Sequence, residues 1–279
     1  MESSKIRKPS VCGQFYSASS ASLTKQIQGL LGQGFSLKEE IGGYDCLACM
    51  LPHAGYMYSG SVAAKTVSQI KIKDKIILLG PNHTGFGARF SIVKEGAWQT
   101  PLGEVPIESE LAEELLRECK YLEEDNLAHA YEHSLEVELP LLQYFNKKIA
   151  IVPIAFFPAE AQILGEIGRD IAKVIKRRNL QSSTLLVASS DMTHYEPQAQ
   201  AEKKDSQAIQ AILDLDEKRL LEKVRELEIS MCGYAPVAVM LVAAKELGAK
   251  KARLVKYQTS GDVTQDKASV VGYAGVIIY

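Results

Sequence analysis

Cysteine is scarce: five in 279 residues, an odd number and too thin a spread for a disulfide-stapled scaffold. Net charge is nearly absent. Thirty-two lysines and arginines stand against 34 aspartates and glutamates, a formal −2, so nothing pulls the chain as a whole toward nucleic acid or an anionic membrane surface. Long apolar runs are missing. The longest, "IAIVPIAFFPA" from Ile149 to Ala159, holds two prolines and is too short to span a bilayer. The opening stretch "MESSKIRKPSVCG" lacks the apolar core of a signal peptide, and a cytoplasmic protein is expected. No linker rich in proline, glycine or serine, no repeat and no low-complexity tract divides the sequence. A single domain over residues 1–279 follows. Histidine is also scarce, with five, so where each one falls is informative.

What is present is an ordinary globular composition. Hydrophobic residues make up 46% and charged residues 24%, enough for a large core at this length. Apolar runs of strand length recur: "CLACML" (Cys46–Leu51), "KIILLG" (Lys75–Gly80), "KIAIVPIAF" (Lys148–Phe156), "TLLVASS" (Thr184–Ser190), "ARLVKYQ" (Ala252–Gln258) and "ASVVGYAGVIIY" (Ala268–Tyr279). Segments with apolar spacing near 3.6 fall between them, among them Ser109–Cys119, Ala161–Arg178, Glu202–Leu215, Glu217–Glu228 and Ala235–Gly248. Strands apolar along their whole length need cover on both faces. The fold class is therefore α/β, a three-layer α/β/α domain around a mixed central sheet. The interval Phe90–Glu108 predicts an added hairpin, with its turn at Glu95-Gly96. The basic run "KVIKRRN" (Lys173–Asn179) reads as the solvated C-terminal turn of a helix, where cations suit the dipole.

Three of the histidines occupy equivalent places. His53 follows "CLACML", His83 follows "KIILLG", and His194 follows "TLLVASS". The carboxyl edge of an open α/β sheet is where ligand and catalytic groups collect. Pro52, Gly55, Pro81, Gly85 and Gly87 mark tight turns with special backbone angles around them. Asp191, three residues before His194, is placed to orient that imidazole or to serve as a ligand. His129 and His133 have the i, i+4 spacing of a helical metal pair, but "HExxH" is absent and Pro140 moves the predicted helix start to "HSLE", with Glu136 in its first turn. His133 and Glu136 then either line the site from a loop or form a structural cap. Cys46 and Cys49, three apart in a predicted strand, point to opposite faces and read as core. Cys12 and Cys119 lack ligand-like neighbours. Cys232 precedes a helix opening near Ala235-Pro236, where a helix N-terminus favours a thiolate.

Seven blocks in order carry a resemblance: "GQFY" (Gly13–Tyr16), "PHAGYMYSG", "LGPNHTG", "EHSLEVELP", "SSDMTHY", "MCGYAPV" and "SVVGYAGV". Over nearly its whole length the chain resembles the Memo family, in particular the bacterial and archaeal branch named AmmeMemoRadiSam system protein B. The resemblance implies a fold like that of the class III extradiol dioxygenases, which bind Fe(II) with two histidines and a glutamate and use a further histidine as acid/base. Carried over, His53 and His83 are metal ligands and His194 is the proton carrier, oriented by Asp191. Cys232 stands where the dioxygenases have glutamate, and a thiolate there is a softer donor. Fe(II) is the expected ion, with copper or zinc as alternatives. Phe15, Tyr16, His133 and Glu136 would line the substrate side. The resulting expectation is metal-dependent redox or oxygenase chemistry on a small aromatic molecule. The alternatives are a non-catalytic module that binds a peptide or partner, with AMMECR-type and radical SAM proteins as companions, and zinc-dependent hydrolysis, which the same donors allow.

Overall fold

The computed structural model describes residues 6–32 and 43–279. Residues 1–5 of the opening stretch and residues 33–42, both within the expected single domain, lie outside the described residues. In chain order the elements are β1 (Ile6–Arg7), α1 (Ser20–Leu31), β2 (Ala48–Leu51), α2 (Gly60–Ser68), β3 (Lys75–Pro81), β4 (Phe90–Ile92), β5 (Ala97–Thr100), β6 (Gly103–Pro106), α3 (Ser109–Glu118), β7 (Glu123–Glu124), α4 (Leu127–Ala130), α5 (Leu139–Phe145), β8 (Ala150–Phe156), α6 (Ala161–Arg177), β9 (Thr184–Ser189), β10 (His194–Glu196), α7 (Gln198–Leu213), α8 (Glu217–Glu226), α9 (Tyr234–Glu246), β11 (Ala252–Thr259), α10 (Gly261–Thr264) and β12 (Val270–Ile278).

The central sheet is ordered β10-β12-β2-β9-β3-β8-β4-β7, with β11 on the other side of β12. Its middle strands β2, β9, β3 and β8 are parallel. β12 joins β2 and β4 joins β8 antiparallel, so the sheet is mixed, as expected. Alternation along these strands divides the core in two, because successive side chains leave opposite faces. Met50, Ile77, Leu79, Ile154 and Ala188 bury one face against α3, α6, α7, α8 and α9. Cys49, Leu51, Ile76, Leu78 and Val187 bury the other against α1, α2 and α5. Each such aliphatic side chain contributes about 1.5–3 kcal/mol on leaving water. α9 is buried on every side from Ala235 to Ala244, which suits a helix with no polar face. It packs against α6 and α8.

The basic run behaves as read. Lys173 and Arg177 near the end of α6, with Arg178 just beyond it, pair with Glu110, Glu114 and Glu118 of α3. Two local expectations need correction. The hairpin is β5-β6, closing at Pro101-Leu102; Glu95-Gly96 instead carries the chain from β4 in the main sheet to a small sheet ordered β1-β5-β6. Cys46 and Cys49 both join the same apolar cluster, because Cys46 precedes β2 and escapes the strand's alternation. Their reading as core residues holds.

Candidate metal centre

β2 and β3 flank β9 in the sheet, so the loops leaving the carboxyl ends of these three strands converge. The first places His53, the second His83, the third Asp191 and His194. Local chemistry fixes the turns. Asn82 Oδ1 accepts from the Thr84 and Gly85 amides (3.0 and 3.3 Å), an Asx turn that needs no distant partner. Gly85 and Gly87 take φ of +76° and +84°. A Cβ on Gly87 would sit 2.2 Å from Asp125 Oδ2. Gly55, also expected to need special angles, is not among the residues with positive φ.

One ring nitrogen from each of His53, His83 and His133 lies within 4.8 Å of the others, a group able to hold a metal ion. The ring centroids are 5.2 Å apart for His53 and His83, 5.5 Å for His53 and His133, and 4.8 Å for His83 and His133. His53 is buried, His133 half-buried and His83 the most open. Two of the rings are held from behind. His83 Nδ1 is 3.0 Å from Glu132 Oε1, and the same carboxylate accepts the His83 backbone N–H and the Ser134 N–H. His53 Nδ1 is 2.7 Å from Ser189 Oγ, and its backbone N–H donates to Asp191 Oδ1 at 2.9 Å. With Nδ1 engaged in both rings, Nε2 is left to serve as the ligand atom, the arrangement second partners impose on metal-binding histidines.

Cys232 is not one of the three mutually close donors, but its Sγ lies 3.3 Å from His53 Nε2. It is held by the Asp191 N–H at 3.3 Å. Gly233 makes this approach possible: a Cβ there would fall 2.3 Å from the Ser189 carbonyl oxygen. The Gly233 N–H donates to Ser190 Oγ at 3.0 Å.

The electrostatics suit a cation. Burial, followed by the neighbouring His83 and His133, pushes the His53 pKa well down, and burial lowers that of His133. Both present neutral lone pairs at neutral pH. Burial pushes Glu132 up, but the His83 ring and the amide donors outweigh it and bring the carboxyl to about 2. Burial raises Asp191 to about 7 against the pull of the His53 and Ala54 amides. The expected Cys232 thiolate is corrected: burial and then the Asp191 charge push the thiol up, overriding the helix end. A bound divalent ion would supply the missing positive charge.

His194 opens β10 at a register shift against β12, the kind of irregularity that re-aims a side chain. Its Nδ1 donates to the Ser230 carbonyl at 2.9 Å and its backbone N–H to Ser230 Oγ at 2.7 Å. Ser230, not Asp191, thus orients the imidazole; Asp191 is occupied with the His53 loop. Burial lowers the His194 pKa, so a neutral Nε2 is left as a proton acceptor.

The remaining candidates divide. Phe15 packs at 5.1 Å from the His133 ring. Tyr16, expected as a second wall, is buried at 2% exposure and donates to Glu136 Oε1 at 2.9 Å. Glu136 does not line the site either. It receives Arg7 Nη1 (2.8 Å), Ser10 N–H (2.7 Å), Ser10 Oγ (2.9 Å) and Val11 N–H (3.0 Å), tying the N-terminal segment down. "HSLE" is a turn, and α5 begins only at Leu139 with Pro140 in its first turn. His129 does not pair with His133: α4 ends at Ala130, and buried His129 turns Nε2 to the Ser91 carbonyl at 3.2 Å. Glu132 and Ser189 stand inside the quoted blocks "EHSLEVELP" and "SSDMTHY" but carried no signal of their own that marked them as partners of the imidazoles. Met57, Phe86, Tyr131 and Tyr195, all exposed large apolar side chains, lie within four residues of His53, His83, His133 and His194 respectively. Tyr195 also holds φ at +60°, an uncommon conformation for a non-glycine residue.

The family model described as Memo-like protein matches residues 7–277. A MEMO1 family protein of Methanopyrus kandleri is 42% identical over 97% of this chain and 98% of its own. Another, of Methanocaldococcus jannaschii, is 42% identical over 98% and 99%. The crystal structure of an uncharacterised protein of Escherichia coli K12 is similar in fold, with a TM-score of 0.55 at 17% identity over 81% of this chain and 98% of that one.

Proposed function

The chain belongs to the family of Memo-like proteins, and on that premise we propose that it is a mononuclear metal protein performing redox or oxygenase chemistry on a small aromatic molecule. His53, His83 and His133 hold the ion, with Cys232 as a further donor. Fe(II) is the ion proposed, and copper and zinc are the alternatives that imidazole and thiolate also suit. The observation that carries the reading is the set of three imidazole nitrogens within 4.8 Å, with a cysteine sulfur 3.3 Å from one of them. The donors fit a cation because Nδ1 of His53 and of His83 is engaged, which leaves Nε2 as the ligand atom, and the group beside His53 Nε2, Cys232 Sγ, is itself a metal donor.

A non-haem iron held by these residues would supply oxygen activation. The chain's own groups do the rest. His194, neutral and held through Nδ1, takes a phenolic proton on Nε2, a contribution of about 10²- to 10⁴-fold for general bases. Phe15 offers an aromatic face beside His133. Met57, Phe86, Tyr131 and Tyr195, exposed large apolar side chains within four residues of the histidines, suit an apolar, aromatic ligand. The same exposed side chains favour a second reading, in which the site binds a peptide without turnover. Oxygen uptake by iron-loaded protein with catechol and indole compounds separates them. Turnover that His194→Ala lowers about 10²- to 10⁴-fold while metal content stays unchanged supports the enzyme. No uptake with any such compound refutes it.

A further inference from the structure

Ser189, at the end of β9, has one hydroxyl proton and three close polar neighbours. The Ser134 carbonyl oxygen is 2.7 Å away, His53 Nδ1 2.7 Å and Glu138 Oε1 2.9 Å. A carbonyl can only accept, so the Ser189 proton goes to Ser134. The other two contacts reach lone pairs of Ser189 Oγ, and each must bring a proton of its own. From this count we propose that Glu138 is a neutral carboxylic acid in the folded protein, donating to Ser189 and so locking the hydroxyl that receives His53 Nδ1–H.

The surroundings agree. Glu138 is fully buried, and its Oε2 has no hydrogen-bond partner among the described residues. An unpaired buried carboxylate is too costly to persist where protonation removes the charge. Ser189, Asp191, Cys49 and Tyr56 act on it or feel its charge, and none of these four is a cation. Tyr56 cannot help, since its hydroxyl donates to the Val137 carbonyl at 2.9 Å. Burial pushes the Glu138 pKa well above the usual carboxylate range. Glu138 is thus a positioning residue, acting on His53 only through Ser189.

The consequence is an unequal pair of imidazoles. His83 is backed by an ionised carboxylate, Glu132, while His53 is backed by a hydroxyl and an uncharged acid. The protonation claim stands by itself; its meaning for a metal rests on the reading proposed above. Difference infrared spectroscopy on metal-free protein at neutral pH tests the claim directly. The carbonyl stretch of a protonated carboxylic acid should be present in the wild type and lost in Glu138→Gln. Should that variant fail to fold, glutamate labelled with carbon-13 in the wild-type protein must shift a protonated-acid band. Absence of any such glutamate band overturns the proposal. Zinc affinity gives a second readout: Glu138→Gln, whose amide still donates to Ser189, should stay within about threefold of wild type, whereas a loss of about 10- to 100-fold would mark an ionised partner and refute a neutral one. If the wild type binds no zinc, the metal reading fails while the infrared result still decides Glu138.

Discussion

Replacing Glu136 by glutamine should destabilise the fold by about 3 kcal/mol. The carboxylate receives five hydrogen bonds from four residues: three on Oε2, from Arg7 Nη1, Ser10 N–H and Ser10 Oγ, and two on Oε1, from Val11 N–H and Tyr16 OH. Glutamine offers one acceptor oxygen. With its carbonyl on the Arg7 side, its amide faces the Val11 N–H and the Tyr16 hydroxyl. The tyrosine can turn to accept, but the Val11 donor is left without a partner, at about 1–3 kcal/mol. The Arg7 guanidinium, 11% exposed, also loses its counter-charge, which adds about 1–2 kcal/mol by the difference between charged and neutral hydrogen bonds. In urea, with a slope of about 3 kcal/mol/M for a chain of this size, the midpoint should fall by about 1 M. The effect has a pH signature. Burial raises the Glu136 pKa, but Arg7 and the amide donors hold it below its ordinary value. A depressed carboxylate stabilises fully above its unfolded pKa of about 4.3 and loses that contribution as pH falls through the folded value. The wild-type advantage over Glu136→Gln should therefore persist from pH 7 to about 5 and shrink below about 4. A midpoint shift below about 0.3 M at pH 7, or one independent of pH, would show that Glu136 does not clamp the N-terminal segment.

Further outcomes follow from the site. Glu132→Gln removes the carboxylate behind His83 and should weaken metal binding by about 10- to 100-fold in a competition titration with a chelator; unchanged affinity would remove Glu132 from the centre. Gly233→Ala places a Cβ 2.3 Å from the Ser189 carbonyl oxygen and should cost about 1–3 kcal/mol in chemical denaturation, as overpacking does. Wild-type stability in that variant would mean the contact behind Cys232 is loose.

Much of the architecture was legible in the sequence, and the reason is local. Strands such as Lys75–Pro81 are apolar along their length because both faces are covered, and that pattern needs no knowledge of partners. His53 and His83 were legible because each follows such a strand, and the Asn82–Gly87 turn after the second is encoded in adjacent residues. The errors come from pairs distant in sequence. Glu136 looked like a helix cap because its partner Arg7 stands 129 positions away, where no periodicity points. His133 reads as lining the site from a loop, on the substrate side, whereas it joins the group of imidazoles able to hold a metal. Asp191 looked like the partner of His194 by proximity in sequence, yet the register shift in β10 turns the ring to Ser230. For Cys232 the helix end was visible, but the depth of burial that reverses its effect was not. Sequence spacing shows who is near along the chain; the cost of burial depends on the other side of the cleft.

The most direct test is metal analysis of protein purified without oxygen and supplied with iron, comparing wild type with His53→Ala, His133→Ala and Cys46→Ser. Cys46 lies in the apolar core, away from the three imidazoles, so its variant should match wild type at about one ion per chain, as expected for a mononuclear site. Both histidine variants should lose the ion. A wild type that binds none, or a stoichiometric ion that survives the loss of either histidine, would contradict a centre built on His53, His83 and His133.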